Sequence, residues 1–375
     1  MLPWVLALIT AVSSAFAADL STDEQWLNLL HYRQTAFRGL RSQADGNEFF
    51  LSPKGRHNAA AELEATVHAL LTPPHEGHAR CRFPARELFL TRHIPDLAAK
   101  LPAVSCPEWE RFRRHLPIKD VALVFSSFYV NNPSSAFGHT LLKFGHAAPG
   151  DRTHSELLDQ GVNYAANATT NNALLYAMLG LFGGFEGRLT TVPYFYKGRE
   201  YNDAESRDLW TYHLTLSDDE KEILRAHLWE LGQTHFDYWY LSENCSYHML
   251  SALDAAAPRL HLQDRLPSWV IPSDTVKLVN DTPGLVAATS YRASVATRYT
   301  AIEGRLTKGE AALARKLITS DVACDSAEVR ALSEERRALV LDTALDGIAF
   351  RSPGESLKGE TPSGKQSTIC VRMRA

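Results

Sequence analysis

The spacing of apolar positions changes several times along this chain, and each change marks a different kind of element. From residue 19 to about 118 the apolar residues recur at helical intervals. The stretch "STDEQWLNLLHYRQ" opens with Ser21 as a cap and Glu24 three residues on, followed by Trp26, Leu27, Leu29 and Leu30. "HNAAAELEATVHALL" predicts a second helix, stopped by Pro73 and Pro74. "CRFPARELFLTRHI" and "CPEWERFRRHL" continue the pattern. Several His and Arg residues fall here without metal-ligand spacing, and the segment reads as a helical cap domain.

Near residue 120 the period shortens to two. "VALVFSSFYV" predicts a strand and "NNPSS" a turn. "AFGHTLLKFG" predicts a second strand with His139 in its middle, sharing a face with Leu141, while Thr140, Leu142 and Phe144 share the other. "SELLDQGVNYAAN" predicts a third. "NNALLYAMLGLFGGFEGRLTTVPYFYKGREYND" reads as a short apolar helix, a glycine turn and an aromatic strand. That apolar helix is expected in the core; the other reading makes Leu174 to Phe185 an acyl-chain groove or a membrane-facing segment. "RDLWTYHLTL" is a further strand, and "SDDEKEILRAHLWEL" a helix with a capping box from Ser217 and Glu220. After "YWYLSENC", the stretch "SYHMLSALDAAAP" is a helix ended by Pro258 and capped by Ser242 or Asn244. Beyond about 300 the pattern is helical again, ending in a polar Gly/Pro/Ser tail. The predicted class is α+β, with a helical domain over 19–118, a mixed domain over 119–300 and a mainly helical extension over 301–375.

Composition narrows the setting. Of 375 residues 45% are hydrophobic and 22% charged, which suits a globular protein. A net charge of −4 without a basic stripe gives no footprint for nucleic acid. The opening "MLPWVLALITAVSSAFAADL" has a short apolar core and small residues spaced for cleavage near Ala17 or Ala18, so residues 1–18 read as a secretory signal peptide. No cysteine follows that core, which argues against a lipoprotein anchor. The expected location is the periplasm.

Five cysteines in an exported chain leave one without an intramolecular partner. By neighbourhood Cys81 pairs with Cys106 and Cys324 with Cys370. Cys245 is then the odd thiol, at the start of a predicted helix, where unpaired amides and the helix dipole favour a thiolate. A thiolate nucleophile needs a base, and the base an orienting group. His139 is the candidate base; the space beside Gly138 accommodates it. Asn163 is the first choice for the orienter and Asp159 the second. The backbone N–H of Cys245 is the expected oxyanion donor, with Ser135 as a weaker second. His248 reads as a packing or surface residue. A zinc site from Cys245, His248 and His139 is the alternative, but C-x-x-H lacks a second short-spaced pair. No cofactor and no metal is expected.

In order, "NPSSAFGHTLLKF", "GVNYAAN", "GGFEGRLTTVPYFYK", "ESRDLWTYHL" and "YWYLSENCSYHML" resemble the Lnb-type N-terminal periplasmic domain family of bacteria, over about residues 119 to 300. "CRFPAR" resembles the helical region that often precedes that domain. The order of His first and Asn-Cys later also resembles the circularly permuted papain-like superfamily, with its lecithin–retinol acyltransferase and NlpC-like branches. The resemblance implies an antiparallel sheet packed on helices, with Cys245 as nucleophile and His139 as base. The Lnb name implies lipoprotein N-acylation, in which an acyl chain passes from phospholipid to an amine through a thioester on the cysteine. Longer relatives carry a C-terminal membrane-associated part, and none is recognisable up to Ala375. The resulting expectation is an acyltransferase or acyl hydrolase with phospholipid or lipoprotein as substrate and a membrane surface as partner. The alternatives are a peptidoglycan peptide amidase on the same dyad, and an envelope binding module without catalysis.

Overall fold

A computed structural model describes residues 19–35, 39–128, 137–151, 155–167, 170, 172–319 and 321–351. The expected signal peptide, Ser135 and Cys370 lie outside the described residues. The fold is α+β.

The strands are β1 (Tyr32–Thr35), β2 (Gly39–Ser42), β3 (Asp120–Ser126), β4 (His139–Gly145), β5 (Gln160–Ala166), β6 (Phe185–Pro193), β7 (Leu209–Leu214), β8 (Phe236–Tyr238) and β9 (Val286–Arg292). The principal helices are α1 (Glu24–Leu29), α2 (Ala59–Leu70), α3 (Pro84–His93), α4 (Ala173–Leu181), α5 (Asp218–Leu231), α6 (Cys245–Ala256), α7 (Val295–Glu303), α8 (Lys308–Ile318) and α9 (Glu334–Arg351). Strands β1 and β2 form a hairpin, and the other seven form a sheet in the order β8-β6-β5-β4-β3-β7-β9. Pairing is antiparallel between β4 and β5, with Leu142 opposite Val162, and between β6 and β8, with Phe185 opposite Tyr238.

The chain divides into two compact units. The first comprises the segments up to Leu123, His139–Val192 and Tyr212–Ala288. In it α6 packs on α1, α5, β4 and β5, so one helix is held by the N-terminal segment and by the sheet. β4 is buried along its whole length, and Leu141, Leu142, Phe144 and Val162 are almost fully covered. The second unit comprises Val124–Gly138, Pro193–Thr211 and the chain from Thr289. There α9 packs on α7 and α8, around Leu313, Leu317, Val340, Leu341 and Ala344.

Some expectations change. The N-terminal segment is not purely helical: His31, at a φ of +54°, ends the first helix, and "YRQT" enters the hairpin. Asp23 rather than Ser21 caps α1, accepting from the amides of Gln25 and Trp26. His139 opens its strand instead of standing in the middle. The aromatic run after Pro193 is helical over Tyr194–Gly198. The expected core position of α4 is wrong: Leu174, Leu175, Met178, Leu181 and Phe182 are exposed, Leu174 by 75%. An apolar helix predicts burial only where another surface covers it, and among the described residues nothing covers this face. No described helix is long and apolar enough to cross a membrane.

Candidate active site

The amino end of α6 places the sulfur. Asn244 is the N-cap, and its side-chain oxygen accepts from the amides of Ser246 at 3.1 Å and Tyr247 at 3.3 Å. Such a cap is worth about 1 kcal/mol and fixes the direction in which the helix starts. The same side chain is anchored from behind, since its Nδ2 donates to the carbonyls of Tyr240 at 3.0 Å and Val270 at 2.7 Å. Of the two cap residues expected, Asn244 serves and Ser242 does not. Cys245 is the first residue of the helix, buried, and a free thiol. Cys81 and Cys106 form the expected disulfide, and Cys324 is also disulfide-bonded; its expected partner, Cys370, is not among the described residues.

The start of β4 brings the imidazole to it. Gly138 precedes His139 with a φ of +94°, and a Cβ there would fall 2.5 Å from the Phe125 ring, so only glycine fits. His139 interacts with the Cys245 thiol. Its Nε2 lies 2.5 Å from Oδ1 of Asn163 on β5. An amide oxygen only accepts, so Nε2 carries the hydrogen and Nδ1 is the ring nitrogen left for sulfur. Residues separated by about a hundred positions in sequence thus form the expected Cys–His–Asn series.

Burial alone would push the Cys245 thiol up, but the His139 imidazole beside it and hydrogen bonds from the amide and hydroxyl of Thr140 bring it down to about 6. The Thr140 hydroxyl is itself 3.0 Å from that of Ser246. Thr140 was not expected here; it reaches the sulfur because the strand begins beside it.

The other candidates stand elsewhere. Asp159, the second choice for the orienter, is fully buried and held 3.0 Å from Lys143 Nζ and 3.0 Å from His146 Nδ1. His248 packs between Tyr164 and Phe236, neither ring nitrogen has a hydrogen-bond partner among the described residues, and burial lowers its pKa to about 3. Among the described residues, metal-ligand atoms converge at exposed Glu24, His261 and Asp264 and not at Cys245, His139 and His248, so the proposed zinc triad does not form. The Cys245 amide, the expected oxyanion donor, donates to the Tyr238 hydroxyl at 3.3 Å. Tyr238 had no signal in the sequence beyond its place in an aromatic run.

A thiol with a lowered pKa at a helix start, bonded to a His held by an Asn, is an arrangement that supplies a nucleophile and a proton carrier. The fold and site define an α+β domain with a Cys–His–Asn centre. Residues 108–282 match the model of the Lnb N-terminal periplasmic domain, and this part of the chain is a member of that family. Flanking segments match two domains of unknown function, DUF7843 over 18–93 and DUF7842 over 289–370. No curated protein and no solved structure matches the chain.

Proposed function

We propose that this protein is a cysteine acyltransferase of the bacterial periplasm, exported by its N-terminal signal, that takes an acyl chain from a phospholipid onto Cys245 and passes it to an amine such as a lipoprotein N-terminus. The observation that carries this reading is the Cys245 thiol brought down to about 6 against its burial, with His139 and Asn163 in series behind it. An inert buried cysteine would be pushed the other way, which weighs against a binding module with a dead site.

In the first step the thiolate attacks the ester carbonyl. A C–S bond forms, the carbonyl π pair moves to oxygen, and the tetrahedral intermediate collapses with loss of the alkoxide. The His139 imidazolium gives the leaving oxygen its proton. In the second step an amine attacks the thioester, His139 takes a proton from it, and the sulfur leaves as the thiolate, restoring the thiolate–imidazolium pair. Asn163 holds the imidazole in the tautomer both steps need. The site residues are largely covered, Cys245 being 2% exposed, and a dry site favours an amine over bulk water.

The lipid half of the reading rests on α4. Its exposed face is apolar, and the segment Gln160–Phe185 contains no charged residue. The helix is tied to the site: the Tyr240 amide donates to the Gly180 carbonyl at 2.9 Å, and the Tyr240 carbonyl accepts from the Asn244 cap. An apolar surface tied to the cap of the nucleophile's helix suits an acyl chain better than the polar groove a peptidoglycan peptide requires. Incubating the protein separately with phospholipid vesicles and with muropeptides tests this. A thioester mass adduct from the lipid and no peptide cleavage supports the reading; muropeptide cleavage without a lipid adduct replaces it with the amidase.

A further inference from the structure

The Cys245 amide is the natural first donor to an oxyanion, but such holes are built from more than one donor. The second is not Asn163, which is committed to His139, nor Asn244, whose side-chain groups are all engaged. The group that does meet the reacting atoms is the phenol of Tyr238. Its oxygen accepts from the Cys245 amide at 3.3 Å, and its hydroxyl hydrogen-bonds the sulfur. The ring cannot swing easily. It is buried at the end of β8, paired to Phe185 of β6, stacked on Tyr164 at 5.4 Å and 13°, and set edge-on to Tyr240.

We propose that Tyr238 is a catalytic residue whose hydroxyl donates to sulfur in the resting protein and to the oxyanion during attack, completing an oxyanion hole with the Cys245 amide. An oxygen placed at hydrogen-bond distance from both atoms closes a triangle on the 3.3 Å edge between them. As the C–S bond forms, negative charge leaves the sulfur and appears on that oxygen, and the phenolic hydrogen bond moves with it. No proton leaves the phenol. Burial and the neighbouring thiolate hold its pKa well above the ordinary tyrosine value, so it remains a donor at neutral pH, where the thiolate forms. The role rests on the acyl-transfer reading of Cys245.

The test separates two reactions of one sulfur. Alkylation by iodoacetamide displaces iodide and generates no oxyanion; acylation by a p-nitrophenyl ester generates one. In Tyr238→Phe the alkylation midpoint moves to higher pH, because a donor to the thiolate is gone. Compared above the midpoint of each protein, acylation falls about 10²–10³-fold, while alkylation stays within about threefold, the size of effect left when only packing is disturbed. Equal losses in both reactions, or no loss in acylation, overturn the role of Tyr238. A wild-type protein that is alkylated but never acylated overturns the acyl-transfer reading and this role with it. Should Tyr238→Phe not fold, 3-fluorotyrosine at position 238 keeps the ring and makes the hydroxyl a stronger donor. Acylation then rises relative to alkylation, and an unchanged ratio overturns the proposal.

Discussion

Two polar clusters are buried in the first unit, and they are built to opposite ends. Around Arg86 every charged group has a partner. The guanidinium meets Glu62 at 2.8 Å, Glu230 at 3.2 Å and the Phe49 carbonyl at 2.7 Å, and it lies over the rings of Phe49 and Phe83. The two carboxylates take further hydrogen bonds from the amides of Leu51, Ser52, Ala85 and Arg86. All three side chains are fully buried. Around Cys245 the His139–Asn163 series and the Thr140 donors favour a thiolate that is available to a substrate. A closed network gives rigidity, whereas an open series with a poised anion gives reactivity. The difference teaches that burial of polar groups does not by itself mark a site; a nucleophile held as its reactive anion does. Burial pushes Glu230 up to about 7 in spite of Arg86, whereas it fails to keep Cys245 up.

The sharpest way to break the comparison is Arg86→Met. Two buried carboxylates lose their counter-ion, and the expected cost is about 3–5 kcal/mol of unfolding free energy. It is read by urea titration, and the pH midpoint of Cys245 alkylation in the folded fraction stays about 6. A midpoint that moved with Arg86 would merge the two clusters into one.

His139→Ala does the reverse. The thiol loses its main opposing charge while burial remains, so its pKa rises toward or past the ordinary value of about 8.5. The thiolate is the reacting form, so a rise to about 8.5 lowers alkylation at pH 7 about 30-fold, and its midpoint moves from about 6 to higher pH. Thermal unfolding shifts little. Asn163→Ala is expected to act more weakly. The imidazole keeps its contact with sulfur but loses its orienting partner at Nε2, and acylation falls about tenfold with a midpoint displaced by less than one pH unit. The acylation rate over pH 5 to 9 reads both changes.

These three side chains differ in how far the sequence disclosed them. Cys245 was legible because a helix cap is a local feature: Asn244, the cysteine and the helix lie within one short stretch. His139 and Asn163 followed from neighbouring strands, and antiparallel pairing of β4 with β5 is the simplest link between them. Tyr238 and Thr140 were hidden, because their roles depend on where a backbone amide and a strand end meet the sulfur. Arg86 joins residues 24 and 144 positions away, a distance no local pattern encodes. The apolar face of α4 misled in a different way, since periodicity reports that a face is apolar and says nothing of what covers it. The hairpin β1–β2 was missed because the helical pattern ahead of it gives no sign that His31, at positive φ, turns the chain into a strand.

The central claim is that Cys245 takes up an acyl chain. Intact-mass measurement after incubation with phospholipid vesicles tests it most directly. The account predicts a mass increase equal to one acyl group, localised to Cys245, removed by neutral hydroxylamine and absent in Cys245→Ser. A protein whose Cys245 reacts readily with iodoacetamide but gains no acyl mass from any phospholipid would contradict it.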